Sequence, residues 1–193
     1  STSQLAALTT ATIQSLGTTE LGRLAPTQIR ALTTTQLRAL TSDQFVGLGA
    51  GQIAALSTTQ VRGLQTSQIA GLTTTQAAAL TSVQIGTLVE TQIQALETED
   101  LVAFGELQFA GFDVDRIAML STDQLIGLGT DDLVLFTSTQ IQALTTDQVA
   151  YLTTSQLSGL TTAQVGNLTP AQIQILNSAD LPAFSSIQIR ALA

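Results

Sequence analysis

Apolar side chains return along this chain with a period of eight. Every eighth residue is Leu or Phe, from Leu8 and Leu16 through Phe104, Phe112 and Phe136 to Leu192. The fifth residue of each block is also apolar, and the fourth is Gln in 18 of 24 blocks. The 193 residues are therefore 24 octads plus Ala193, with the form [Ser/Thr]-[Ser/Thr/Pro]-x-Gln-[Ile/Val/Leu]-x-small-Leu and no insertion or deletion. TSTQIQAL and TTDQVAYL, over 137–152, are representative. A fixed short period of this kind marks a solenoid or array.

Each octad carries the signals of a helix start. Thr or Ser at position one and Gln at position four form a capping box, in which the hydroxyl accepts from the N3 amide and the Gln side chain returns to the cap amide. The preceding Leu and the position-five Ile or Val are placed as a hydrophobic staple. Pro26 and Pro170 fall at the first helical position, where a proline loses no hydrogen bond. One long helix is excluded, because eight residues at 100° each overshoot whole turns by 80° and would wind the apolar stripe around to solvent. The pattern predicts an all-α solenoid of 24 very short helices. A β-solenoid is the alternative, since Thr, Ile and Val suit strands, but position eight breaks the period of two that a strand needs.

Odd and even octads differ. Position six holds long polar side chains in seven of the twelve even octads (Gln14, Arg30 and Arg62 among them) and small or apolar ones in most odd octads. Position seven does the reverse, with Met119, Leu135 and Tyr151 in odd octads and mostly Ala or Gly in even ones. The alternation predicts a two-helix, 16-residue repeat in 12 copies, stacked as two layers around a core of positions five and eight. Pro182 falls inside the expected twenty-third helix and should shorten it. On this reading the Gln is half a capping box, and its loss should cost about 0.5–1 kcal/mol.

Composition narrows the chemistry. With 44% hydrophobic but 4% aromatic residues, the core is aliphatic and built by repetition. Unbroken periodicity argues for one continuous body over 1–193. The opening octad already fits the pattern, so no signal peptide is expected, and no apolar run reaches the 18 or so residues of a membrane span. A net charge of −8, with no Lys, disfavours nucleic acid and anionic membranes. Without His, Lys or Cys, nucleophilic catalysis lacks its usual base and thiolate metal sites are excluded.

Nine of the 14 carboxylates lie between Glu97 and Asp132, and Phe104, Phe109, Phe112 and Phe136 fall in or next to that stretch. Glu97, Glu99 and Asp100, or Asp131 and Asp132, offer acid/base pairs in principle; a solvated acidic edge is the expectation. Asp113 and Asp115, with Asp131 and Asp132, are weak calcium candidates, since hard oxygen ligands suit that ion, but they extend to no EF-hand loop. No catalytic or cofactor-binding residue is expected. Tyr151 and Asn167, sixteen apart, could share a groove.

LTTTQLRAL, LSTTQVRGL and LTPAQIQIL resemble the Leu-[Ser/Thr]-x-x-Gln-[Ile/Val]-x-Ala-Leu octapeptide arrays of large secreted or surface-attached bacterial proteins, often labelled adhesin-like. The resemblance implies an extracellular, cell-surface, non-enzymatic role: a segment or subunit of a fibre or stalk. The alternative is a protein- or glycan-binding scaffold using the acidic segment 97–136. The first and last octads keep Leu5, Leu8, Ile189 and Leu192 without a polar cap, which predicts head-to-tail self-association through those residues.

Overall fold

Octads become helices of four to six residues. The computed structural model describes residues 1–192 and contains 23 α-helices, from Thr2–Ala6 to Ser186–Ala191. No strand occurs among the described residues, so the helical solenoid stands and the β-solenoid does not. Helices begin at Pro26 and Pro170 as expected. Around Pro182 the α-helix is replaced by a 3-10 turn, Leu181–Ala183.

The helix over Thr146–Tyr151 shows the local logic. Thr145 Oγ1 accepts from the Gln148 amide at 3.1 Å, and Gln148 Oε1 accepts from the Thr145 amide at 2.7 Å. Leu152 then takes extended backbone, with φ −60° and ψ 134°, and turns the chain into the next cap. Positions five and eight form one uninterrupted core. Every fifth-position residue from Ile13 to Val165 is at most 1% exposed, and the eighth-position residues from Leu32 to Leu168 are also buried.

The fourth position departs from expectation. From Gln36 to Gln188 its Gln is buried, only 2–6% exposed, except for Gln108, which is half-buried. The amide that the capping box leaves free donates to main-chain carbonyls of the coil below. Gln36 Nε2 reaches the carbonyls of Leu5 and Leu8 at 2.9 and 2.7 Å. Gln140 reaches those of Phe109 and Phe112 at 2.7 Å each. From Gln36 to Gln188, all sixteen fourth-position glutamines donate to carbonyls 28 to 31 residues earlier.

These bonds set the size of a coil. Helices pack on the third helix along the chain and hydrogen-bond to the fourth. A coil therefore takes about 28 residues, or three and a half octads. The two-layer, 16-residue stack is thus not the packing rule. Nearly seven coils fit in the 192 described residues, a rod roughly 55–70 Å long at the usual 8–10 Å between packed helices.

The odd–even alternation survives with a different cause. A step of three octads reverses parity, so even helices rest on odd ones. Gly47, Gly63, Gly127 and Gly159, all at position seven of even octads, lie against Thr18, Thr34, Thr98 and Thr130, each 29 residues earlier. No glycine has positive φ, so these positions need a small residue for close approach and not for backbone freedom. Sixteen residues is more than half a coil, which puts Tyr151 and Asn167 on opposing sides of the rod and in no common groove.

Two expected outcomes test this account. Gln140→Ala strands the Phe112 carbonyl, takes the second donor from the Phe109 carbonyl and removes half a cap. It should cost about 1.5–4 kcal/mol, since a buried unpaired polar group costs about 1–3 kcal/mol and half a cap about 0.5–1 kcal/mol. Gln28→Ala, with no coil beneath it, should cost only about 0.5–1 kcal/mol. Equal losses in urea denaturation would count against the bridge. For the close contacts, a Cβ at Gly111 would come within 2.5 Å of the Ser82 carbonyl oxygen and 2.9 Å of Ile85 Cβ, whereas one at Gly51 meets nothing within 4 Å. Gly111→Ala should therefore lower the melting temperature sharply, and Gly51→Ala should leave it unchanged or stabilise by about 0.5–1 kcal/mol.

Candidate functional site

The acidic segment 97–136 is where the repeat departs most from its own pattern. Three of its five fourth positions are not Gln: Asp100, Arg116 and Asp132. Its four phenylalanines are buried and packed on one another, with ring centroids 5.8 Å apart for Phe104–Phe109 and 4.9 Å for Phe109–Phe136. They belong to the core and offer no aromatic platform to a ligand.

The fourth-position substitutes keep different parts of the Gln's work. Arg116 Nε donates to the Leu88 carbonyl at 3.2 Å, 28 residues back, and its guanidinium pairs with Asp113. Asp113 also accepts from the Arg116 amide at 2.9 Å, so together they keep the N-cap and the bridge, while the return bond to the cap amide is lost. Asp132 accepts from the Gly129 amide at 2.8 Å and so caps its helix, but an ionised carboxylate has no donor for the coil below. Asp180, 7% exposed, accepts from the Asn177 amide at 2.9 Å in the same way.

Asp100 is the extreme case. It is 2% exposed, and its Oδ2 is buried with no hydrogen-bond partner. The register of the neighbouring glutamines, 31 and 28 residues, sets it over the carbonyls of Ile69 and Leu72. Burial pushes its carboxyl from 3.8 up to about 6; Glu97 and then Glu99 add repulsion, while a hydrogen bond from the Glu97 backbone pulls the other way. The expected solvated acidic edge therefore excludes Asp100.

The calcium candidates do not converge. Asp113 is held by Arg116 and Asp132 by Gly129. No group of three or more His, Cys, Asp or Glu side chains among the described residues is arranged to hold a metal ion. Elsewhere, a groove of about 570 Å³ runs along the stack between Arg62 and Arg116, lined by Thr34, Thr58, Thr59 and Thr87. Sequence reasoning missed it, because Arg62 and Arg116 lie more than six octads apart and meet only through the coil period. No described helix is long and apolar enough to cross a membrane.

These features define a repeat solenoid whose recurring geometry lies between coils and not in a pocket. The chain belongs to the ALTTAQ repeat family, whose model matches residues 22–58, 53–89 and 125–162, together more than half of the sequence. No curated protein matches it.

Substitution at Arg116 tests whether the bridge matters more than the residue that makes it. Arg116→Gln restores the majority side chain and should be neutral or mildly stabilising. Arg116→Ala should be less stable than Arg116→Gln by about 1–2 kcal/mol, the worth of a lost bond to a buried carbonyl. Thermal melts of the two variants give the comparison, and equal melting temperatures would contradict it.

Proposed function

We propose that this protein is a non-enzymatic structural rod, a repeat segment or subunit of an extracellular bacterial surface fibre or adhesin stalk. The observation that supports this reading best is the coil-to-coil bridging that recurs from Gln36 to Gln188, broken only at Asp100, Asp132 and Asp180, along a chain with a Thr-rich surface. The resemblance of its octads to the arrays of surface-attached proteins points the same way. No cofactor is part of this reading, and neither is nucleic acid.

Self-association follows from the polarity of the rod. Every fourth-position bridge donates toward the N-terminal side. Gln4 and Gln28 therefore hold amides with no coil beneath, while carbonyls such as those of Val165 and Leu168 receive no bridge from above. Ile189 is 42% exposed, and Leu5, Leu8 and Leu192 are only partly covered. A further coil of the same kind satisfies both faces, and a second copy of this chain supplies one. Concentrated 193-residue protein should form linear assemblies in light scattering, and Leu5→Glu with Ile189→Glu should abolish them. A wild type that remains monomeric at high concentration would overturn the head-to-tail contact.

The second reading is a protein- or glycan-binding scaffold. Leu107 at 77% exposure, with Val102 and Val114 also exposed among the carboxylates, favours 97–136 as its contact surface. Binding on a glycan array or in a pull-down that vanishes when those five octads are replaced by the majority sequence would support it over the rod.

A further inference from the structure

Asp100 stands where the repeat needs a donor. At this position the sixteen bridging glutamines each place an amide on carbonyls of the coil below. A carboxylate offers those carbonyls only another acceptor, and the Asp side chain is one methylene shorter than Gln. The result is visible in the structure: Oδ2 lies buried without a partner. The carbonyls of Ile69 and Leu72 correspondingly receive no side-chain bridge; Gln68 and Gln76, in the coil that holds them, donate to the coil beneath instead.

The surroundings hold no cation to neutralise the charge. Glu97 and Glu99 lie on the same octad. Of the helices packed against it, Thr74–Ala78 carries no ionisable group and Thr122–Gly127 carries Asp123. The segment beneath it by register, 65–72, carries none, and the octad that sits above adds Asp131 and Asp132. The flanking octads bring Glu90 and Glu106. Apart from the hydrogen bond from the Glu97 backbone, an ionised Asp100 thus meets only negative charge, carbonyl oxygen and apolar surface.

We propose that Asp100 is a proton-operated seam between the coil containing Ile69–Leu72 and the coil containing Leu101. Protonation removes the buried charge and creates the missing O–H donor, which reaches the carbonyls directly or through one water across the gap left by the shorter side chain. Ionisation removes that donor and opens the seam. In a rod whose other coils are bridged by neutral amides, this places an acid-tightened joint near mid-length.

The sign follows from the raised carboxyl. Between about pH 4 and pH 6 the native state holds a proton that the unfolded chain has released, so stability conferred by this residue falls as pH rises through that window and then levels off. A shift of about two units corresponds to an opening equilibrium that changes by up to about 100-fold.

The experiment is native-state hydrogen exchange on the full chain, following amides of 69–72 and 97–104, with opening constants compared at pH 4.5 and 7.5 for wild type, Asp100→Gln and Asp100→Asn. Wild type should open about 10- to 100-fold more readily at pH 7.5 than Asp100→Gln, and the difference should shrink at pH 4.5. Repulsion among the other carboxylates is common to the proteins and cancels in that difference. Asp100→Asn, neutral at both pH values, should lose the pH dependence while keeping the shorter side chain. A difference from Asp100→Gln that does not change with pH would overturn the proposal, as would an Asp100→Asn variant that retains the wild-type profile. Millimolar calcium that protects wild type at pH 7.5 as acid does would also overturn it, in favour of a bound cation.

Discussion

A helix of five residues cannot satisfy its own backbone. The first four amides and the last four carbonyls of any helix lack internal partners, so here a large share of the polar main-chain groups must find partners outside the helix. The fourth-position Gln resolves this with one side chain. Its carbonyl oxygen takes the cap amide, as in Gln140 to Thr137 at 2.7 Å, and its amide takes two terminal carbonyls of the coil below. Residues at positions five and eight can supply hydrophobic burial, but they cannot pair these groups. Burying them unpaired would cost more than the aliphatic contacts return.

The same bond makes the fold one-dimensional. The fourth-position bridges span 28 to 31 residues, so each coil is tied to its neighbour and no side-chain bridge reaches further along the rod. Stability in such a molecule is a sum over coils and interfaces, and a fault in one seam stays local. The fourth-position bridges also run in one direction, which gives the rod a donor-rich face toward its N-terminal side and an acceptor-rich face toward the other.

Much of this was legible in the octad. Thr145, Gln148 and Val149 sit where capping chemistry and apolar spacing place them. The number of octads per coil was not legible. It is fixed by where a Gln amide can reach a carbonyl such as that of Leu120, a long-range geometry that leaves no periodic mark of its own. Parity did leave a mark, in Gly127 against Thr98, but a three-octad step and a two-octad unit produce the same alternation in sequence. The burial of Asp100 was hidden for a related reason: beside Glu97 and Glu99 it reads as one more surface acid, and only the coil above and below encloses it.

A signal for that burial is nevertheless present in the chain. Each octad with Asp at position four has Phe at position eight: Asp100 with Phe104, Asp132 with Phe136, Asp180 with Phe184. Glu20, as long as the Gln it replaces, keeps Leu24. A shorter side chain at the bridge vacates volume, and a larger one at the adjoining core position refills it, which close-packed interiors require. The three phenylalanines are 2–6% exposed, and aromatic pairs such as Phe109–Phe136 add about 0.5–1.5 kcal/mol beyond their burial. Within 97–136 this packing argument covers Phe104 and Phe136; Phe109 and Phe112 belong to the octad of Gln108, which keeps its bridge. Where a seam gives up hydrogen bonds, the core beside it turns aromatic, and the rod keeps its continuity through a joint that responds to protons.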